Sequence, residues 1–142
     1  DGAASNNNLD LFEEMRLAAL IHKGFQQDPL LISANTTLQM ATINGAKSLF
    51  LQPYVGSLEP GKKADFIILD SHQAHFHPLY DPISHIVYSA SGKDVLHVFI
   101  NGEQVVKDGE VLTLDEEKVI FEVEQLTKNW RENIHFFSSK KK

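Results

Sequence analysis

At 142 residues, 42% hydrophobic and 23% charged, the chain is long enough and apolar enough for one domain with a real core. Its formal net charge of −6 gives no general affinity for nucleic acid or an anionic membrane, and the absence of cysteine excludes a disulfide framework and a thiolate metal site. No apolar run approaches the ~20 residues a membrane span needs and no signal peptide is visible, so the default expectation is a cytoplasmic setting without membrane contact.

Residues 1–52 read as helical. Asp1-Gly2-Ala3-Ala4-Ser5-Asn6-Asn7-Asn8 opens as a polar loop, and Asn8 is the expected N-cap of a first helix. Asp10 and Glu13 suit the positive end of its dipole, and Lys23-Gly24 suits its end. Phe12, Met15, Ala19 and His22 recur at three- and four-residue steps, which predicts a buried stripe with His22 packed in it. Asp28-Pro29 breaks the chain. Asn35 or Thr36 is the expected cap of a second short helix and Thr42 of a third, in which Gly45-Ala46 would allow close backbone approach.

Residues 53–113 read as strands. Pro60-Gly61-Lys62-Lys63 is a turn, and Ala64–Asp70 predicts a strand with a buried apolar middle. Asp65 is expected to bond to backbone in that turn, because a carboxylate near a core needs partners. Asp81-Pro82 reads as a turn. Val95–Ile100 is a second strand, Asn101-Gly102 the strongest hairpin signal, and Gln104–Lys107 the return. Asp108-Gly109 turns again into Glu110-Val111-Leu112. Residues 114–142 read as a terminal helix and tail, opened by a capping box at Thr113-Leu114-Asp115-Glu116 and striped by Val119, Val123, Leu126 and Trp130. Trp130 and Phe136-Phe137 would pack, or else form a subunit contact. Lys140-Lys141-Lys142 reads as a solvated terminus.

Four ordered blocks carry a resemblance. Gly56-Ser57-Leu58-Glu59-Pro60-Gly61-Lys62-Lys63-Ala64-Asp65-Phe66-Ile67-Ile68-Leu69-Asp70 resembles the segment of the amidohydrolase superfamily that joins a metal-bearing barrel to a small β-sandwich. Met40-Ala41-Thr42-Ile43-Asn44-Gly45-Ala46 resembles that family's last barrel helices, and Asp94 through Gly109 its closing hairpin. The opening Asp1–Arg16 block looks like the branch holding methylthioadenosine/S-adenosylhomocysteine deaminases and triazine chlorohydrolases.

The resemblance implies an α+β fragment: the last helices of a (β/α)8 metal-dependent hydrolase barrel (1–52), the C-terminal part of a composite β-sandwich (53–113) and a terminal helix (114–142). The missing N-terminal part of the same protein would then be a partner, together with a small-molecule substrate and a homo-oligomeric copy. Asp1 matches the aspartate that ends the last barrel strand, and so would be both catalytic and a ligand of one divalent metal ion, zinc by the resemblance. Such an ion lowers the pKa of bound water to ~7, and a carboxylate beside it can take that water's proton and pass it to a departing nitrogen. Asn6 would contact substrate from the active-site mouth, where barrel loops carry specificity. The implied activity is hydrolytic deamination of an aminated purine nucleoside. Alternatives are a related chlorohydrolase, a guanine- or cytosine-type deaminase, or a non-catalytic packing or dimerisation module.

One pattern points elsewhere. His75-Phe76-His77, with His72 nearby, has the spacing of an alternating zinc pair. It precedes Pro78 in a loop rather than ending an apolar strand, so native metal binding there is not expected. His85, His97 and His135 carry no spacing signal.

Overall fold

A computed structural model describes residues 7–138. A helical layer packs beside a four-stranded antiparallel sheet of order β1-β2-β3-β4. Helix α1 spans Leu11–Gln26, and its cap is Asp10, whose side chain accepts from Phe12 N–H. The expected cap, Asn8, instead turns its side-chain amide to Glu13. The helix runs through Gly24 and ends when Gln27 takes a left-handed conformation, φ 54°. Phe12, Met15 and Ala19 are buried as the stripe requires, but His22 is exposed: the groove the helix covers ends one turn earlier.

Helix α2 (Ala34–Gln39) is capped by Ser33, two residues before the expected Asn35 and three before Thr36, because the Ser33 hydroxyl accepts from Thr36 N–H. The chain continues without a break through a π-helical turn, Met40–Asn44, into α3 (Gly45–Ser48). Thr42 therefore caps nothing; its hydroxyl bonds back to the Leu38 carbonyl at 2.7 Å. The close approach expected at Gly45-Ala46 is completed from the other side by Gly56, φ +92°, which lies over Ala46.

Strand β1 (Phe66–Leu69) is shorter than the expected Ala64–Asp70. Its middle is open rather than buried, with Ile67 47% and Ile68 42% exposed. It pairs with β2 (Val95–Ile100) in the register Phe66↔Phe99 and Ile67↔Val98, and the Phe66 and Phe99 rings stack with centroids 4.5 Å apart. β3 (Glu103–Lys107) and β4 (Glu110–Val111) complete the meander. Its two tight turns, Asn101-Gly102 and Asp108-Gly109, have positive φ at both residues, 53° and 82° in the first, 51° and 82° in the second. This is the geometry that matches hairpin twist and selects Asn-Gly and Asp-Gly. Asp65 Oδ1 accepts from Asn101 N–H at 2.5 Å, so it does bond to turn backbone, but in the β2–β3 hairpin 36 residues away rather than in the expected 60–63 turn.

The stretch between the first two strands is not strand. It holds α4 (Pro82–Tyr88), capped by Asp81 with Pro82 in its first turn. Asp81-Pro82 is thus a helix start rather than a turn. Val87 and Ala90 are fully buried and join Phe12, Met15, Ala19 and Phe76 in the core, so this core belongs to the helical layer. Helix α5 (Glu116–Ser138) begins later than the expected capping box, with Asp115 accepting from Lys118 N–H at 3.0 Å. Val119, Val123 and Leu126 of its stripe are exposed, and the Trp130 side chain lies outside those described.

Candidate functional site

Asp1 and Asn6, the residues expected to act on substrate, lie outside the described residues. What is described is the start of the helix that follows them in the chain. Asp10 accepts from Phe12 N–H through Oδ1 at 2.8 Å and from Gly92 N–H through Oδ2 at 3.0 Å. Further along α1, Arg16 Nη2 donates to the Ala90 carbonyl at 2.6 Å. The start of α1 is therefore joined to a turn more than seventy residues away in sequence.

That turn is itself braced. Ser91 N–H and the Ser91 hydroxyl both donate to Asp94 Oδ2, at 2.8 and 3.1 Å, and His75 Nε2 sits 3.1 Å from Asp94 Oδ1. Asp94 is 5% exposed, and its partners offset the cost of burying a carboxylate. The Ser91-Gly92-Lys93-Asp94 spacing is a capping-box signature and could have revealed this brace. Nothing local in the sequence shows that Asp10 and Arg16 reach it.

An apolar cleft of about 820 Å³ opens beside this helix start, between α1, α2 and the sheet, and is lined by Leu11, Met15, Leu38, Ile67 and Val98. A second, of about 700 Å³, lies between α3 and the β1–β2 ladder and is lined by Ala46, Leu49, Leu58, Phe66 and Phe99. Clefts this apolar hold packed side chains or apolar ligand surface, not ions.

The histidines do not gather. His75 faces Asp94, His72 faces Asp70 at 3.3 Å, and His97 Nδ1 accepts from Asp108 N–H at 3.1 Å. Among the described residues no group of three or more His, Asp or Glu side chains could hold a metal ion, so the described residues do not fit one. Three surface carboxylates, Asp81 and Glu59 exposed and Asp70 half-buried, are held below their usual range by local hydrogen bonds: Asp70 chiefly by His72 N–H, Asp81 by the Ser84 hydroxyl and Glu59 by the Ser57 hydroxyl. These are turn and cap carboxylates poised to stay ionised, the opposite of a general acid.

The profile of the amidohydrolase family matches residues 1–105. The chain belongs to the amidohydrolase family. This amidohydrolase chain is 52% identical over 128 residues to the 5-methylthioadenosine/S-adenosylhomocysteine deaminase of Acetivibrio thermocellus, covering 90% of itself and 30% of that protein. It is 46% identical over 134 residues to deaminase 1 of the same name from Syntrophus aciditrophicus, covering 94% of itself and 30% of the relative. It superposes on a zinc-bound adenosine deaminase from Xanthomonas campestris with a TM-score of 0.85 and 35% identity, over 95% of this chain and 30% of that one. A zinc complex of the atrazine chlorohydrolase from Arthrobacter aurescens gives a TM-score of 0.75 at 29% identity, over 88% of this chain and 28% of that one. The amidohydrolase chain thus spans about 30% of the length of these relatives. Among its described residues no helix is long and apolar enough to cross a membrane.

Proposed function

We propose that this chain is the C-terminal share of a metal-dependent amidohydrolase that removes ammonia from an aminated purine nucleoside of the methylthioadenosine or S-adenosylhomocysteine type. The observation that carries this reading is the 52% identity over 128 residues to a deaminase of that specificity. Likeness to the chlorohydrolase is lower, at 29%, and dechlorination is the second reading.

In this reading α1 to α3 close a (β/α)8 barrel, and the sheet is one part of a β-sandwich completed by strands elsewhere in the protein. Two features support it. Both clefts are apolar and lie between the helices and the β1–β2 ladder, where further segments of a longer protein would pack. Ile67 and Ile68, in the middle of β1, are about half exposed, which a strand buried on both faces would not tolerate.

The reacting groups are Asp1 and the rest of the protein. The Asp1 carboxylate takes a proton from the attacking water as its oxygen bonds to the amine-bearing carbon. It then gives that proton to the nitrogen, which leaves as ammonia with the electron pair of the broken C–N bond. A metal ion such as the zinc of the solved relatives would be held mainly by residues outside 7–138 and would make the bound water more acidic. Asn6 contacts the substrate from the same loop.

The test is ammonia release by the full-length protein with methylthioadenosine, guanine and a chlorotriazine offered separately. Release from methylthioadenosine, abolished by Asp1→Asn, supports the reading. Turnover of guanine or the triazine alone removes the substrate assignment and leaves the family intact. Activity that survives Asp1→Asn removes Asp1 from the chemistry.

A further inference from the structure

Asp10 makes two backbone hydrogen bonds that serve different parts of the chain. Oδ1 closes the first turn of α1, which is all a cap requires. Oδ2 reaches Gly92 N–H, 82 residues away, at 3.0 Å. Arg16, about 9 Å further along the helix by its rise per residue, binds the carbonyl of the fully buried Ala90. Two ties at two heights hold α1 against both sliding and rotation about its axis. The receiving turn is braced apart from the helix, by Ser91 to Asp94 within it and by His75 from outside it.

Residues 1–9 leave from the end of α1 that Asp10 holds. We propose that Asp10 is a positioning residue for Asp1: its bond to Gly92 N–H fixes the point at which the catalytic loop joins the fold. The inference rests on the role given to Asp1 above. An anchor of this kind matters because a displacement of about 1 Å at a reacting group can cost on the order of 10²-fold in rate.

Gly92→Pro isolates the bond. Gly92 opens a short 3-10 turn, where proline's fixed φ fits. Ser91 before it is already extended, φ −140° and ψ 170°, as a residue preceding proline must be. A Cβ at Gly92 meets only Asp10, at 3.6 Å, an ordinary contact. The variant removes the donor, and its ring Cδ, set in the direction of the lost hydrogen, also turns the Asp10 carboxylate aside, so its effect is read beside that of Asp10→Asn. Asp10→Asn removes the bond from the other side, since its amide carbon keeps one oxygen to cap α1 and turns an NH2 toward Gly92 N–H.

Both variants and the double variant are made in the full-length protein. They are compared by steady-state deamination of methylthioadenosine across pH and by amide hydrogen exchange of the peptide covering residues 1–11. The expected result is a loss of kcat of about 10- to 100-fold in each single variant with KM unchanged. The double variant should lose no more than the worse single one. Exchange in residues 1–11 should rise while β2 and β3 stay protected. Unchanged kcat in Gly92→Pro, a KM that rises as kcat falls, or losses that multiply in the double variant would overturn the proposal. If the wild type releases no ammonia from any aminated purine nucleoside, the functional reading falls by itself. Exchange then decides the anchor, and an unchanged 1–11 peptide overturns it.

Discussion

Gly56→Ala should be among the most damaging single-methyl additions in this chain. Gly56 has φ +92°, where an L-residue is strained. An added Cβ would lie 2.7 Å from Ala46 Cβ, 3.1 Å from Ile43 Cα and 3.3 Å from the Thr42 carbonyl oxygen. Two of these three neighbours are backbone atoms in the π-helical turn, and Ala46 is 7% exposed, so nothing flexible can give way. Strain at positive φ costs about 1–2 kcal/mol and overpacking typically about 1–3 kcal/mol, which together make about 2–5 kcal/mol. Gly61 supplies the control: it has the same φ of +92°, and a Cβ there meets nothing within 4 Å. Gly61→Ala should therefore show the strain alone, about 1–2 kcal/mol. The assay is urea denaturation of the full-length protein, read as midpoints at constant slope. If Gly56→Ala and Gly61→Ala shift the midpoint equally, the close approach of α3 to the 53–58 turn is not a tight contact and the reasoning fails.

Asp94→Ala should cost about 1–3 kcal/mol by leaving Ser91 N–H and His75 without their acceptor; thermal unfolding within about 0.5 kcal/mol of wild type would contradict the brace. Asp115→Ala should cost about 1 kcal/mol and speed exchange at the Lys118 amide, and an unchanged amide would place the start of α5 elsewhere. Asp81 is held below the usual aspartate range, mainly by the Ser84 hydroxyl, so the folded state binds its proton less readily than the unfolded chain. Its contribution is then complete above the ordinary aspartate range and is lost as pH falls through the depressed folded value. Asp81→Asn should flatten the acid side of the stability–pH curve, and a curve of unchanged shape would show that the cap carries no such linkage.

Local chemistry was readable from the sequence wherever local chemistry decides. Asn101-Gly102 and Asp108-Gly109 were expected as hairpins and are, because positive φ at two consecutive residues is a requirement few residue pairs meet. Val95–Ile100 was read at its observed bounds, since turn signals stand at both ends. The buried face of α1 followed from spacing through Phe12, Met15 and Ala19. Its cap did not: Asn8 and Asp10 are both good caps, and the choice fell to Asp10, which also reaches Gly92 across the fold. Helix α4 was missed though its signal was present. Asp81-Pro82 followed by Ile83, Ile86, Val87 and Ala90 is a cap, a first-turn proline and a three–four apolar step, hidden by its place between two strands.

By itself the sequence determined the family and the hairpin turns, because these rest on residue types and near spacings. Only the tertiary structure decided that residues 76–90 leave the strand region and enter the helical core. It alone showed that a turn at Ser91–Asp94 receives the start of α1 through Asp10 and Arg16, and that His75 lies beside the buried Asp94. Each of these pairings joins side chains or backbone groups far apart in the chain, and their energy comes from burial and hydrogen-bond geometry that no window of neighbouring residues contains.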